Sequence, residues 1–245
     1  MKNLILTITL TVVLFACKSN NNPLINGDVS SIKESEYGAV EKFGEVIKGG
    51  LNYVRSYEYD KNGNQTTFII YDEEGDETYK STTSYKDNEA TSTYTKHSVY
   101  KEFTEQRTVI FKDDYKTVWL SERKEDEKAS TDTIIYTRTK NGKEATETTK
   151  HNDGSQSIRY ITFDDKWRII EFKWLMDGVN VQQWELNKYL DNQLIQKDEL
   201  DEDTGLVRNS ITYKYKLDDK QNWVECIEYE DDKAERVIER TINYR

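Results

Sequence analysis

Apolar and polar residues alternate along most of this chain with a period of two. In "SITYKYKL" (210–217), Ile211, Tyr213, Tyr215 and Leu217 fall on one side of an extended segment. Ser210, Thr212, Lys214 and Lys216 fall on the other. "RVIERTINY" (236–244) repeats the device with Ile238, Ile242 and Tyr244. "WRIIEFKWL" (167–175) groups Ile170, Phe172 and Trp174 against Glu171 and Lys173. This alternation describes antiparallel strands with one buried and one wet face.

Between these segments stand clusters of Asp, Asn and Gly: "DKNGN" (60–64), "DEEGD" (72–76), "KDN" (86–88), "KDD" (112–114), "KNG" (140–142) and "NDG" (152–154). The series continues with "DDK" (164–166), "MDG" (176–178), "LDN" (190–192), "DEDTG" (201–205), "DDKQN" (218–222) and "DDK" (231–233). These residues tolerate positive φ, and Asx side chains close turns. The spacing leaves room for strands but not for helix–loop alternation. The chain has one proline, Pro23, as strands that need every amide donor require. The pattern predicts an all-β protein of half-buried strands in an antiparallel sheet. Residues 30–48 fit a helical stripe only in part, and Gly38 and Gly44 weaken it, so strands are expected there as well. Residues 79–100, rich in Thr, Ser and Tyr, are expected to be wet on both faces or to fray.

The first residues follow a different rule. After Met1-Lys2, residues 4–16 are apolar apart from three threonines, and Cys17 follows. A basic start, a short apolar run and a small residue before the cut describe a signal peptide, too short to cross a membrane as a helix. Leu14-Phe15-Ala16-Cys17 resembles the lipobox of bacterial lipoproteins, with Phe15 bulkier than that pattern usually carries. The resemblance implies diacylglycerol on the Cys17 thiol, cleavage before it, and acylation (palmitate, for example) of the new amino group. Two or three acyl chains hold a protein stably on a membrane where one does not. The expected organisation is a signal peptide over 1–16, a lipidated cysteine and flexible tether over 17–29, and one β-repeat domain over 30–245. The expected location is the outer membrane, lipid-anchored, on the periplasmic face or at the cell surface. Acidic residues just after the cysteine would resemble a surface-export signal, but the first acid is Asp28.

Charge narrows the partners. The chain is 33% charged with a net charge of −11, and loss of Lys2 with the signal peptide takes this to −12. An acidic domain repels phosphate backbones, so no nucleic acid is expected. "ERKEDEK" (122–128) mixes signs and reads as a solvated turn. With Cys17 lipidated, Cys226 has no disulfide partner and is expected to fill a small apolar space on a strand.

The turns and strands together carry a second resemblance. "YEYDKNGN" (57–64), "YDEEGD" (71–76) and the weaker "YKYKLDDKQNW" (213–223) are similar to the Tyr-Asp repeats of the RHS/YD family. "KFGEVIKG", followed by "YEYDKNGN", and the ending "NWVECIEYEDDKAERVIERTINY" resemble bacterial lipoproteins of unknown function built from such repeats. The likeness covers most of 41–76 and 210–244. It implies an antiparallel meander of about fourteen strands in one twisted sheet, flat or curled, built of stacked hairpins that share a buried face, and nothing about activity.

Candidate chemistry is sparse. His97 and His151 lie in polar stretches far apart, and the chain has no Gly-x-Ser-x-Gly elbow, phosphate-cradling loop, HExxH or CxxC. No enzyme activity, cofactor or metal is expected. Carboxylates are too numerous for a hydrolytic pair to stand out. The loop from Asp201 has Thr212 where a calcium-binding loop needs a bidentate glutamate. Trp174 and Trp184 read as core, the latter with Leu186 and Leu190. Trp167 falls on a more polar face, and it is the one binding residue nominated, for stacking on a sugar or a partner. The expected function is a lipid-anchored binding or structural module for a protein or envelope-glycan partner. The alternatives are a toxin-neutralising lipoprotein, whose acidic sheet masks a basic toxin, and a carrier of a hydrophobic ligand in a curled sheet.

Overall fold

Among the described residues, the alternating segments form sixteen antiparallel strands. They are β1 (Val29–Lys42), β2 (Glu45–Tyr59), β3 (Gln65–Tyr71), β4 (Glu77–Lys86), β5 (Glu89–His97) and β6 (Glu102–Lys112). Next come β7 (Lys116–Glu125), β8 (Lys128–Arg138), β9 (Glu144–Lys150), β10 (Gln156–Phe163) and β11 (Ile169–Met176). The last five are β12 (Asn180–Leu190), β13 (Gln193–Leu200), β14 (Val207–Leu217), β15 (Trp223–Glu230) and β16 (Lys233–Tyr244). The computed structural model describes residues 25–86, 89–97, 102–125 and 128–245. The signal segment, Cys17 and most of the tether lie outside the described residues, as does the side chain of His97.

Each strand pairs with its neighbours in sequence, and β1 also pairs with β16, so the meander closes into a barrel. The seam is long, running from Val29 opposite Tyr244 to Gly38 opposite Arg236. Closure pairs the outer edges of the first and last strands along this seam, edges that could otherwise recruit another chain. The expected all-β meander is therefore present, with its curl carried to completion. Residues 30–48 are β1, the start of β2 and the Phe43-Gly44 turn between them.

Burial identifies the inward wall. Along β1, Ile32, Glu34 and Glu36 are buried while Lys33 is exposed. Register carries that parity round the ring: Ile32 faces Ile242 and Tyr57, and Glu34 faces Arg240 and Arg55. Ile211, Tyr213 and Tyr215 share this wall with Glu228 and Cys226, as their alternation predicts. A bulge alters the pattern on β11. Thr162 pairs with Glu171, but Phe163 pairs with Ile169, so Ile170 is the extra residue. Ile169, not Ile170, therefore packs with Phe172 and Trp174 against Ala145, Ile161 and Phe163.

Several of the longer turns share one geometry. Asp60 N–H bonds the Asn64 carbonyl at 2.9 Å, and Gly63 N–H returns to the Asp60 carbonyl at 3.1 Å. The Asp60 carboxylate accepts from the amides of Asn62 and Asn64. Asp72, Asp164 and Asp218 open turns of the same form. The left-handed position holds Gly63 and Gly75 in the first two, and Trp167 and Gln221 in the others. Asp201 closes its own turn onto Thr204.

These carboxylates make the fold acid-sensitive. At Asp60, Asp164 and Asp218 burial alone would raise the carboxyl's pKa, but hydrogen bonds outweigh it and hold the pKa below the ordinary aspartate range: those of the turn at Asp60 and Asp164, and the Tyr244 hydroxyl ahead of the turn amides at Asp218. At Asp201 the Thr204 hydroxyl and amide do the same. A pKa lowered in the folded state stabilises above the ordinary value and is lost as pH falls through the lowered one. The urea midpoint is expected to hold from pH 7 to 5 and to fall below about pH 4. A midpoint unchanged down to pH 3 would show that the turns contribute nothing.

Candidate functional site

Three features stand apart from plain strand packing: an ion-paired stretch of the inward wall and two dissimilar rims. The inward stretch arises because β1, β2 and β16 place charges at successive inward positions. Glu34 accepts from Arg240 Nε at 3.0 Å and Nη2 at 2.5 Å, and from the Tyr57 hydroxyl at 3.2 Å. Arg55 lies 3.7 Å away. Glu36 accepts from the Tyr53 hydroxyl and from Asn52, with Arg236 at 3.8 Å. Arg236 continues to Glu228 at 3.3 Å. Further round, Lys197 stands 3.4 Å from Glu185 and 3.1 Å from Glu199, and Arg159 pairs with Glu147 at 2.5 Å.

Burial in this wall shifts its ionisable groups. Burial pushes up the Glu228 carboxyl, with Arg236 opposing. Burial would lower the Lys197 ammonium, but Glu185 and Glu199 outweigh it and raise the group. Burial pushes the Tyr59 hydroxyl up to about 12. Cys226 is buried and, mainly by desolvation, its thiol is likewise pushed up to about 12, which keeps it protonated and unreactive. It is the apolar filler that its position predicts.

Strand direction divides the turns between two rims. The chain enters at one end, where Asn222 takes the Asn26 amide at 2.7 Å and returns a bond to its carbonyl at 2.8 Å. The expected tether is thus fixed to the barrel from Asn26 onward. Arg245 bonds Asp28 at the same end. Here the turns 60–64, 113–115, 139–143, 164–168, 191–192 and 218–222 carry six Lys or Arg among eight Asp. At the opposite rim, turns 72–76, 201–205 and 231–232 carry nine carboxylates and no Lys or Arg. The β1–β2 hairpin projects from that rim, since β1 has no β16 partner beyond Gly38. Its tip holds Phe43 at 97% exposure, flanked by exposed Val40 and Ile47.

The nominated Trp167 lies on the entry rim, in the turn between β10 and β11, and not on a strand face. Its φ of 62° is uncommon for a bulky residue. The indole lies across Gly142, where an added Cβ would come within 2.3 Å of it, and it remains 42% exposed. Lys143 Nζ is 5.6 Å and the Arg138 guanidinium 6.0 Å from the ring centroid. Trp184 departs from its expected place. It sits on the outward wall opposite Lys173, which lies 3.7 Å over its ring, and it donates to Glu171 at 2.9 Å. Leu190 is exposed. His151 opens a turn, with Nδ1 3.1 Å from Asp132. Nothing local in the sequence announces the network Glu34–Arg240–Arg55–Tyr57. Its members are up to 206 positions apart, and only their parity on inward faces hinted at it.

The outward wall mixes charged and polar residues with rings. One row runs Lys216, Glu225, Glu239, Ser35 across four strands. Another runs Trp184, Lys173, Tyr160, Thr146, Thr137, Lys116. A membrane-spanning barrel presents an apolar band there.

The chain matches no protein-family model and no curated protein. Among solved structures, it is similar to a porin-like protein from Bacteroides uniformis. Identity is 15% and the TM-score 0.55, over 89% of this chain and 99% of that one. A porin-like protein from Bacteroides vulgatus aligns at 13% identity and a TM-score of 0.41, with the same coverage. The first of these likenesses is one of fold alone.

Proposed function

We propose that the protein is a lipid-anchored envelope module that binds a basic protein partner through its acidic rim, without catalysis. Anchorage is through Cys17, at the outer membrane, on the periplasmic face or at the cell surface. The observation that carries this reading is the difference between the rims: nine carboxylates without a cation in three turns, beside a projecting hairpin tipped by Phe43. A field of one sign steers an oppositely charged partner, and an exposed aromatic supplies contact area once it arrives. Lys173, at mid-strand on the outward wall, supports a barrel standing beside the membrane, because a Lys at the bilayer midplane of a barrel costs about 2–4 kcal/mol. The ion-paired inward stretch argues against the carrier alternative, which calls for a continuous apolar lining. Neutralisation of a basic toxin falls within the same chemistry. The Tyr59-Asp60 and Tyr71-Asp72 turns support kinship with RHS/YD-like repeat lipoproteins.

A photo-crosslinking residue at Phe43, in cells, tests the reading. An adduct with a protein of high isoelectric point, lost at high salt, is expected there. Tyr160, mid-strand on the outward wall, serves as control. Adducts at Tyr160 and none at Phe43, or adducts with glycan only, would overturn it.

A further inference from the structure

We infer that the partner is held as a strand: a basic, extended segment of it adds to the unpaired edge of β2 on the projecting hairpin. This rests on the acidic-rim reading above and adds the mode of contact to it.

The edge exists because the neighbours of the β1–β2 ribbon stop short of its tip. β3 pairs with β2 only from Val54, opposite Tyr71, to Tyr59. Among the described residues, 45–53 of β2 therefore have β1 on one side and no strand on the other. A row of unpaired N–H and C=O groups is a template for another strand. The matching edge of β1 is shorter, residues 39–42, and Glu41 there turns its carboxylate to the Ala234 amide at 3.3 Å.

Hairpin geometry fixes which groups are free. Phe43 and Gly44 have φ of 54° and 81°, both positive, as a two-residue type I′ turn requires. The pair flanking such a loop, Lys42 and Glu45, exchanges both main-chain bonds, and the next pair, Glu41 and Val46, exchanges none. Register runs unbroken from there to Lys48 opposite Ala39, so the amides of Val46 and Lys48 point to the open edge. No proline guards this stretch, and its one lysine, Lys48, is held by Glu239 at 2.8 Å. Val40 and Ile47 stand opposite one another, 45% and 42% exposed, and offer an added strand apolar side chains to pack on.

Charge selects the occupant. β3 leads from Tyr71 into the turn 72–76, so Asp72, Glu73, Glu74 and Asp76 stand at the foot of the open edge. Among the described residues no Lys or Arg forms an ion pair with any of them. A segment laid along β2 passes these carboxylates, which attract Lys and Arg side chains and repel acidic ones. A second copy fits poorly, because each chain carries a net charge of −11. The bound segment is thus extended and basic, with apolar residues at the alternate positions that face Ile47.

The test uses the purified full chain in detergent and a fluorescent decapeptide that alternates Lys with Val. A twin peptide, methylated on its four central backbone nitrogens, keeps the charge and loses the donors of both its edges. Anisotropy titrations are expected to show the twin binding about tenfold more weakly, as the loss of one or two main-chain hydrogen bonds requires. Val46→Pro removes a donor from the open edge and no bond to β1. It should weaken the unmethylated peptide by a similar factor and leave the melting temperature within a few degrees of the parent. Equal affinity of the two peptides, or undiminished binding to Val46→Pro, overturns strand addition and leaves the acidic rim standing. Failure of both peptides to bind at low salt overturns the acidic-rim reading as well. A dimer of the parent chain that Val46→Pro dissolves would give the edge to a second copy and overturn the partner strand.

Discussion

Replacing Arg240 by alanine is expected to lower the unfolding free energy by about 3–5 kcal/mol, the usual cost of removing one partner from a buried ion pair. Glu34 is only 7% exposed and takes two hydrogen bonds from this guanidinium. Without Arg240 it keeps the Tyr57 hydroxyl and, at 3.7 Å, Arg55, too little to compensate a carboxylate held away from water. The same truncation removes the guanidinium from above the Trp223 ring, 3.3 Å from its centroid. At about 2–4 °C per kcal/mol for a chain of this size, the melting temperature falls by about 6–20 °C. Glu34→Gln should cost less, because the amide remains an acceptor and loses the charge that demanded a partner. The double replacement Glu34→Leu with Arg240→Leu should recover most of the loss, since exchanging a whole buried pair for apolar side chains is often neutral. Thermal melting of the three variants separates these outcomes. An R240A protein melting within about 2 °C of the parent would mean that water reaches Glu34 freely and the network is ornamental to the fold.

Legibility in the sequence followed the range of the interaction. Turns are local, and the Asx-Gly clusters placed them well, because an aspartate that captures amides two and four residues on needs no help from elsewhere. The Phe43-Gly44 turn was not among them, since a two-residue hairpin loop can carry a phenylalanine when the glycine follows. Parity within a strand was legible until a bulge intervened. One extra residue at Ile170 exchanged the roles of the two isoleucines, and nothing in "RII" announces which of them is surplus. Trp184 misled for a related reason. Hydrophobicity placed it inward, whereas Lys173 and Glu171 make the outward wall a good site for an indole that also needs an acceptor. Trp167 was nominated for its polar surroundings, but what distinguishes it is the glycine-like φ, which no alternation pattern carries. The rims were hidden as well. Their charges are spread over turns dozens of residues apart, and only strand direction sorts them into two groups.

Closure was the least legible feature, because it joins the first strand to the last. Ile238→Pro tests it directly. At that position β16 faces Glu36 of β1 on one side and Cys226 of β15 on the other. Its amide serves one of them, and proline both removes that donor and clashes within a paired strand. A loss of at least about 3 kcal/mol is expected, against about 0.5–1.5 for Ile238→Val, which alters packing alone. Opening the seam also exposes two long edges, so the proline variant should self-associate at concentrations where the parent does not, as size-exclusion chromatography would show. A circular permutant supplies the converse. Arg245 N–H already bonds the Asp28 carbonyl at 2.9 Å, so a short linker can join the ends of the barrel. New termini at Glu73/Glu74 then cut a turn and leave every strand pairing intact. If the ring has no privileged edge, the permutant melts within a few degrees of the unpermuted barrel. A permutant that fails to fold while the Ile238→Pro protein remains monomeric would mean that β1 and β16 lie side by side without holding the barrel shut.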